Sequence, residues 1–283
     1  MNQQANLFIV VVLAFLLTNG CSSCKASSSS ENDKVTTAEP ETTISYALFD
    51  FHGIACSGVV NIIYTQGPSC KVSIKTRSDM VGAVKPKVSN DGILKLSSPS
   101  LTDKARKQWI KAYREYPPKI VVYVTSPAMD FIEISGCSNF TTHSLNAGHV
   151  DMEVSGVSHL TVDTLKANAV NISVSGSSSI KGDFNVKTAN AKVQGVSKLI
   201  SNIEADQLKI SNSGSSSTKV QFKGGHVDIT NSGVGKVDMA VDCTEFNVNN
   251  SGVAYLKVSG TADKTQIEGS GVSKVDTSKL NKY

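Results

Sequence analysis

From residue 129 onward, apolar and polar residues alternate in short runs broken by a recurring Ser-Gly step. The glycines are Gly136, Gly156, Gly176, Gly214, Gly233, Gly252 and Gly271, and Gln194-Gly195 fills the one gap. Their spacing is 20 residues twice and 19 thereafter. Four residues before each glycine stands Ile132, Met152, Ile172, Ala191, Ile210, Ile229, Val248 or Ile267. Four residues after it stands Phe140, Leu160, Ile180, Leu199, Thr218, Val237, Leu256 or Val275. Valine follows the glycine directly at Val157, Val196, Val234, Val253 and Val272. Polar residues lie between, which is the period-2 signature of a half-buried strand. Each unit therefore reads as strand, Ser-Gly corner, strand, and a second corner of Asn, Gly, Asp or Thr.

A unit of 19 residues cannot bury its own apolar side, whereas stacked units share one continuous core. The expected fold is all-β: a parallel β-helix, or solenoid, with coils of 19–20 residues and about eight coils over 129–283. Successive coils are expected about 4.8 Å apart. Two residues before the glycine, early coils carry Ile134, Val154, Val174 and Val193, and later ones Asn212, Asn231 and Asn250. Parity points that position inward. A lone buried Asn is costly, but three in register form a ladder; the alternative is a row of solvent-facing turn caps.

Residues 44–128 are strand-rich but irregular. Ile54-Ala55-Cys56-Ser57-Gly58-Val59-Val60 copies the corner once, and Asn90-Asp91-Gly92 between two apolar runs signals a hairpin. A small helical insert is expected at about 101–116, where Leu101, Ala105, Trp109, Ala112 and Tyr116 fall at helical spacing before Pro117-Pro118. Its polar side, with Arg106, Lys107, Lys111 and Arg114 beside Trp109 and Tyr113, reads either as a cap over the solenoid's end or as a basic, aromatic binding lid.

Residues Leu7–Leu17 form an apolar run of eleven, too short to span a bilayer and suited to a signal-peptide core. Thr18-Asn19-Gly20-Cys21 then places a small residue before cysteine, which makes Cys21 the expected lipidation site. The segment before the core has no Lys or Arg, and Leu17 lies one place further from Cys21 than the usual pattern, so a plain secretory signal is the alternative. The domain reading is signal peptide 1–20, flexible tether 21–43 (Ser, Thr, Glu and Lys with almost nothing apolar) and folded domain 44–283. Export to the outer membrane, on its surface or periplasmic side, follows. Cys56, Cys70, Cys137 and Cys243 remain, and Cys56 with Cys70 would close a short loop if oxidised.

A net charge of +4 is too small to argue for nucleic acid. No zinc, calcium or cofactor motif appears, so no metal or cofactor is expected. The best catalytic pairs, His149 with Asp151 and His226 with Asp228, repeat one word four coils apart, about 19 Å, and read as exposed strand residues. Lys198, Lys236 and Lys274 occupy the third position after the glycine, and Lys181, Lys219 and Lys257 the fifth. Both sets skip alternate coils and make a staggered basic row, either a binding stripe for an acidic polymer or an arrangement that keeps like charges apart.

The repeated Ser-Gly corners, the opening Phe51-His52-Gly53-Ile54 and the run Val60-Asn61-Ile62-Ile63-Tyr64-Thr65-Gln66-Gly67 resemble the putative autotransporter adhesin, head GIN domain family of Bacteroides-type lipoproteins. The resemblance spans roughly 44–280. It implies a right-handed, pectin-lyase-like β-helix, no defined catalytic residues and a role in adhesion; the handedness comes from the resemblance alone. The functional expectation is a non-enzymatic envelope or surface protein, held to the outer membrane by a lipid and presenting its surface to an extended glycan or host-surface ligand. The rival readings are a polysaccharide-active β-helix enzyme and a periplasmic scaffold or stress protein.

Overall fold

The computed structural model describes residues 40–97 and 119–282. Its strands run, in chain order, β1 (Glu41–Tyr46), β2 (Gly53–Ser57), β3 (Asn61–Gln66), β4 (Lys71–Arg77), β5 (Lys87–Val88), β6 (Ile93–Ser97) and β7 (Val121–Ser126). Short strands continue as β8 (Phe131–Ile134), β9 (Asn139–Asn146), β10 (His149–Val154), β11 (His159–Lys166), β12 (Ala169–Val174), β13 (Ser179–Asn185) and β14 (Thr188–Val193). Long strands that bend through the second corner follow: β15 (Lys198–Asn212), β16 (Ser217–Asn231), β17 (Lys236–Asn250) and β18 (Tyr255–Gly269), and β19 (Lys274–Lys282) ends the order.

The result is a parallel β-solenoid. β10 pairs with β8 and β12, and β11 with β9 and β13, all parallel and in register from coil to coil. The corners at Gly136, Gly156, Gly176, Gly195, Gly214, Gly233, Gly252 and Gly271 stand in one column, and Gly58 lies beneath Gly136. The irregular first portion joins the same stack out of order. β2 pairs with β8 on one side and β6 on the other, and β3 with β9 and β7. The chain thus builds the second coil first, drops below it to build the lowest coil from β6 and β7, and returns above it at β8. Tyr64 and Gln66 bind this junction. The buried Tyr64 hydroxyl donates to Ser126 O at 3.1 Å, and Gln66 Nε2 donates to Pro127 O and Asn146 O at 3.0 and 2.9 Å.

At each corner the residue after glycine donates its N–H to the glycine carbonyl one coil below, as in Val157 N to Gly136 O at 2.7 Å and Val234 N to Gly214 O at 2.9 Å. The glycines adopt positive φ, +75° at Gly156 and +74° at Gly214, where a Cβ would press against the glycine carbonyl beneath. Inside the corner a second set of bonds supports the stack. Ser158 and Ser178 Oγ donate to Gly136 O and Gly156 O, each at 3.2 Å, and Ser197 Oγ donates to Gly176 O at 3.3 Å. From Gly214 upward the asparagines take over. Asn212 Nδ2 donates to Asn231 Oδ1 and Asn231 Nδ2 to Asn250 Oδ1, both at 2.8 Å, and all three residues are buried. Ser216 and Thr218 also donate to Asn212 Oδ1. Gly235 makes room for them, since a Cβ there would sit 2.5 Å from Asn212 Nδ2.

The change from 20- to 19-residue spacing has a local cause. β11 bulges against β13 between Val162 and Thr164, so Asp163 is an extra residue with no partner on β13. The coil below carries the matching extra residue, His143, whose Nδ1 lies 3.0 Å from Asp163 Oδ2.

Two features depart from the sequence reading, and a third concerns a pairing that the reading left open. The valines that follow the glycines are not part of the core: Val157, Val196, Val234, Val253 and Val272 are 55–79% exposed along the corner. Parity explains this, because the serine or its substitute two places after glycine is the inward residue. Secondly, β1 begins at Glu41, inside the span assigned to the tether, and pairs antiparallel with β4, which pairs antiparallel with β7. These reversed strands end the parallel stack at its lower edge, the capping role weighed for the helix at 101–116. The span at which that helix is expected lies outside the described residues. Thirdly, no disulfide joins Cys56 to Cys70: the described cysteines are free thiols, with Cys56 Sγ 3.6 Å from Ser138 Oγ.

Two outcomes test the corner. Gly156→Ala places a Cβ 2.5 Å from Gly136 O, and is expected to destabilise the fold by about 1–3 kcal/mol in thermal or urea melts. Asn231→Ala strands buried groups on Asn212 and Asn250 and is expected to cost about 2–4 kcal/mol. Replacing all three asparagines with Val, the residue earlier coils use there, should cost less than that single change.

Candidate functional site

The solenoid exposes two broad strand faces, one on each side of the Ser-Gly corner. The face after the glycine carries the lysines. The register stacks Lys198, Ser217, Lys236, Tyr255 and Lys274 in one column. The next holds Lys181, Ile200, Lys219, Asp238, Lys257 and Asp276. The six lysines therefore share one face, but the row is not purely basic, because Asp238 lies between Lys219 and Lys257 and Asp276 follows Lys257. Tyr255 is flanked from both sides, with Lys236 and Lys274 Nζ each 5.8 Å from its ring centre. Hydrogen bonds from Ser278, and after them the positive charges of Lys257 and Lys274, hold the Asp276 carboxyl below its ordinary pKa. Lower down, the same face is neutral and partly apolar, with Ile63 and Tyr123 about 40% exposed.

The face before the glycine is rich in amides and carboxylates. His149 and His226 fall in one column separated by Ala169, Thr188 and Gln207, so each serves its own locality. His149 Nε2 lies 2.8 Å from Asp151 Oδ1. That same oxygen accepts from Asn171 Nδ2 at 2.9 Å, and Asn171 Oδ1 accepts from Asn190 Nδ2 at 3.1 Å. His226 sits between Asp228 and Glu245, at 3.1 and 3.3 Å. Glu245 in turn accepts from Asn247, which with His226 and Lys264 lowers its pKa. Sequence parity identified these residues as outward but not their linkage along the axis, which needs the coil register.

A third polar cluster lies where the lowest coils meet. His52 Nδ1 is 2.6 Å from Asp130 Oδ1 and Nε2 is 3.1 Å from Asp91 O. The Asp130 contact raises the His52 pKa above the usual histidine range, with partial burial opposing it. Burial pushes the Cys56 and Cys243 thiols up to about 11, which makes them packing residues at neutral pH.

No Asp, Glu, Lys or Arg among the described residues is buried, so no carboxylic acid enjoys the desolvation that poises a general acid. No group of three His, Cys, Asp or Glu residues among them is arranged to hold a metal ion. No described helix is long and apolar enough to cross a membrane. Cys21 and the basic-aromatic insert (Arg106, Lys107, Trp109, Lys111, Tyr113 and Arg114) lie outside the described residues.

The family model described as "Putative auto-transporter adhesin, head GIN domain" matches residues 50–233 and again 207–282. Among solved structures, the chain is similar to a putative adhesin from Parabacteroides distasonis, with 16% identity, a TM-score of 0.66, and coverage of 84% of this chain and 97% of the other. Another from Parabacteroides merdae matches at 15% identity and TM-score 0.61, covering 83% and 95%. A third, from Bacteroides fragilis, matches at 19% and 0.58, covering 84% and 97%. No curated protein matches the chain.

The His52 pair sets a pH dependence. Its pKa is higher in the folded chain than in the unfolded one, so its contribution is fully present below the unfolded value of about 6.5 and is lost as pH rises through the folded value. Both side chains are about half exposed, at 47% and 48%, which limits the effect to a few tenths of a kcal/mol. Urea melts of the wild type and of His52→Asn should differ more at pH 5.5 than at pH 8; a gap that widens with pH would contradict the assignment.

Proposed function

Because the chain belongs to the putative auto-transporter adhesin, head GIN domain family, we propose that it is an adhesin-like protein of the cell surface or envelope, one that holds an extended partner along its solenoid and catalyses no reaction. The observation that carries this reading is the columnar surface itself. Side chains line up along the axis in columns, with the lysines recurring every second coil, about 10 Å apart, which suits a long ligand lying parallel to the axis better than a small molecule. The exposed ionisable groups, with no carboxylate buried among the described residues, support a binding role over a catalytic one.

The proposed contact on the face after the glycine is the row Lys181, Lys198, Lys219, Lys236, Lys257 and Lys274, and its ligand an acidic glycan or similar anionic polymer. Tyr255 between Lys236 and Lys274 adds a ring on which a sugar can stack. Single exposed ion pairs contribute only about 0–1 kcal/mol, so affinity here depends on several at once and falls with salt. The interleaved Asp238 and Asp276 partly offset the positive charge of the row, which limits what each lysine contributes and makes the affinity depend on several lysines together. Lipid attachment at Cys21 and a tether after it would place this surface away from the membrane; the basic insert at 101–116 is a further proposed contact.

The test changes Lys198, Lys219, Lys236 and Lys257 to Gln together and measures heparin binding and attachment to host cells at two salt concentrations. The melting temperature should move little, because these side chains are exposed or half-buried. Heparin binding should fall by about tenfold or more and lose its salt dependence. Unchanged binding would remove the lysine row from the adhesive surface.

A further inference from the structure

We propose that the opposite face, before the glycine, is a second and separate binding site: a groove for an uncharged, hydroxyl-rich chain, a neutral glycan. The proposal does not rest on the lysine row and adds a ligand class that the row would not favour.

The groove is a physical recess. A depression of about 730 Å3 runs between two columns of side chains, floored by Met152, Ile172 and Ala191. One wall is Asp151, Asn171, Asn190 and Lys209. The other is Glu153, Ser173, Lys192 and Ser211. A further depression of about 370 Å3 shares Lys209 and continues along the same two columns to Gln266 and Glu268. Together they cross seven coils, from β10 to β18, or about 29 Å at the strand spacing. Its width comes from short side chains, Ser173, Ser211 and Thr230 on one wall and Asn171 and Asn190 on the other.

The chemistry of the walls selects the ligand. Asp151 and Glu153 stand on one coil, with Lys192 and Lys209 two and three coils further along the same columns, and Asp228 and Glu268 follow in the continuation. Four carboxylates against two lysines give an anionic polymer no net attraction. What remains is an alternation of donors (Lys, and Asn Nδ2) with acceptors (Asp, Glu, and Asn Oδ1) repeated along the axis. A hydroxyl both donates and accepts, and a chain of sugar hydroxyls can use every position. The wall is already ordered. His149, Asp151, Asn171 and Asn190 are linked by hydrogen bonds at 2.8, 2.9 and 3.1 Å, so less side-chain freedom is lost on binding. Phe131 continues the column one coil below Asp151 and offers a half-buried ring at the groove's end. A sugar ring presents its C–H face to such a surface.

Affinity electrophoresis of the intact folded domain through gels containing laminarin, mixed-linkage β-glucan or galactomannan, with heparin as the acidic comparison, tests the proposal. At least one neutral polymer should retard the protein, and the retardation should persist at about 0.5 M salt, where exposed charge attraction is screened. Ser173→Trp or Ser211→Trp fills the groove from its outer wall and should weaken that retardation by about tenfold, while the lysine-to-Gln variant leaves it unchanged. Two positions guard against one variant failing to fold, and thermal melts check each. If none of the three neutral polymers retards the protein, or if both folded Trp variants run as the wild type does, the groove is not a site. Binding of heparin alone, lost in the lysine variant, would uphold the lysine row and reject the groove.

Discussion

The structure depends on one hydrogen bond repeated at every corner: the N–H after each glycine meets the glycine carbonyl of the coil below. Parallel strands alone hold coils together along their lengths, but a chain that turns between strands would leave buried corner groups unpaired. Here the ladder passes through the turn without a break. That demands a backbone conformation at positive φ and a carbonyl pressed close beneath, and glycine meets both demands. Because every corner stacks on an identical one, the register of each coil fixes the register of the next, and all the side-chain columns follow.

The interior of the corner has two interchangeable ways of being satisfied. In the lower coils a serine two places after glycine reaches down to the glycine carbonyl, and an aliphatic residue stands opposite. In the upper coils an asparagine two places before glycine reaches across to the next asparagine, and the opposing side shrinks to Gly235 or Ala254. Volume and hydrogen bonding are exchanged together across the corner. Asn212 is where the two systems meet, since its oxygen accepts from Ser216 and Thr218 while its amide donates upward to Asn231.

The glycine rhythm made the stacked coils, their corner and the inward position of the asparagines legible in the sequence, because period and parity are local properties of the chain. The inner serines were not distinguished from the serines before the glycines, since composition alone does not say which side of a turn a hydroxyl faces. The exposed valines mislead for the same reason: hydrophobicity suggests burial, while the corner's geometry points them out. The order of the lowest coils was hidden because β2 neighbours β8 across a gap of some eighty residues, and no periodicity reports such a jump. At the surface, the lysine columns could be counted from the sequence, but the aspartates set among them and the groove on the far side appear only once the coils are in register.

This construction also bears on what kind of function the molecule suits. An active site needs groups from different directions converging on one point, often with a burial that shifts a pKa. A solenoid face offers the reverse: side chains diverge from a nearly flat sheet and repeat along a line, and here no carboxylate or histidine of the described residues is buried. Substitution on either face leaves the corner ladder and the core untouched, so surface chemistry is free to vary at little cost to the fold. The two faces already differ, one with lysines and a tyrosine, the other with amides and an excess of carboxylates. A scaffold whose stability resides in its corners, with its chemistry on its flats, favours recognition of long ligands over turnover of small ones.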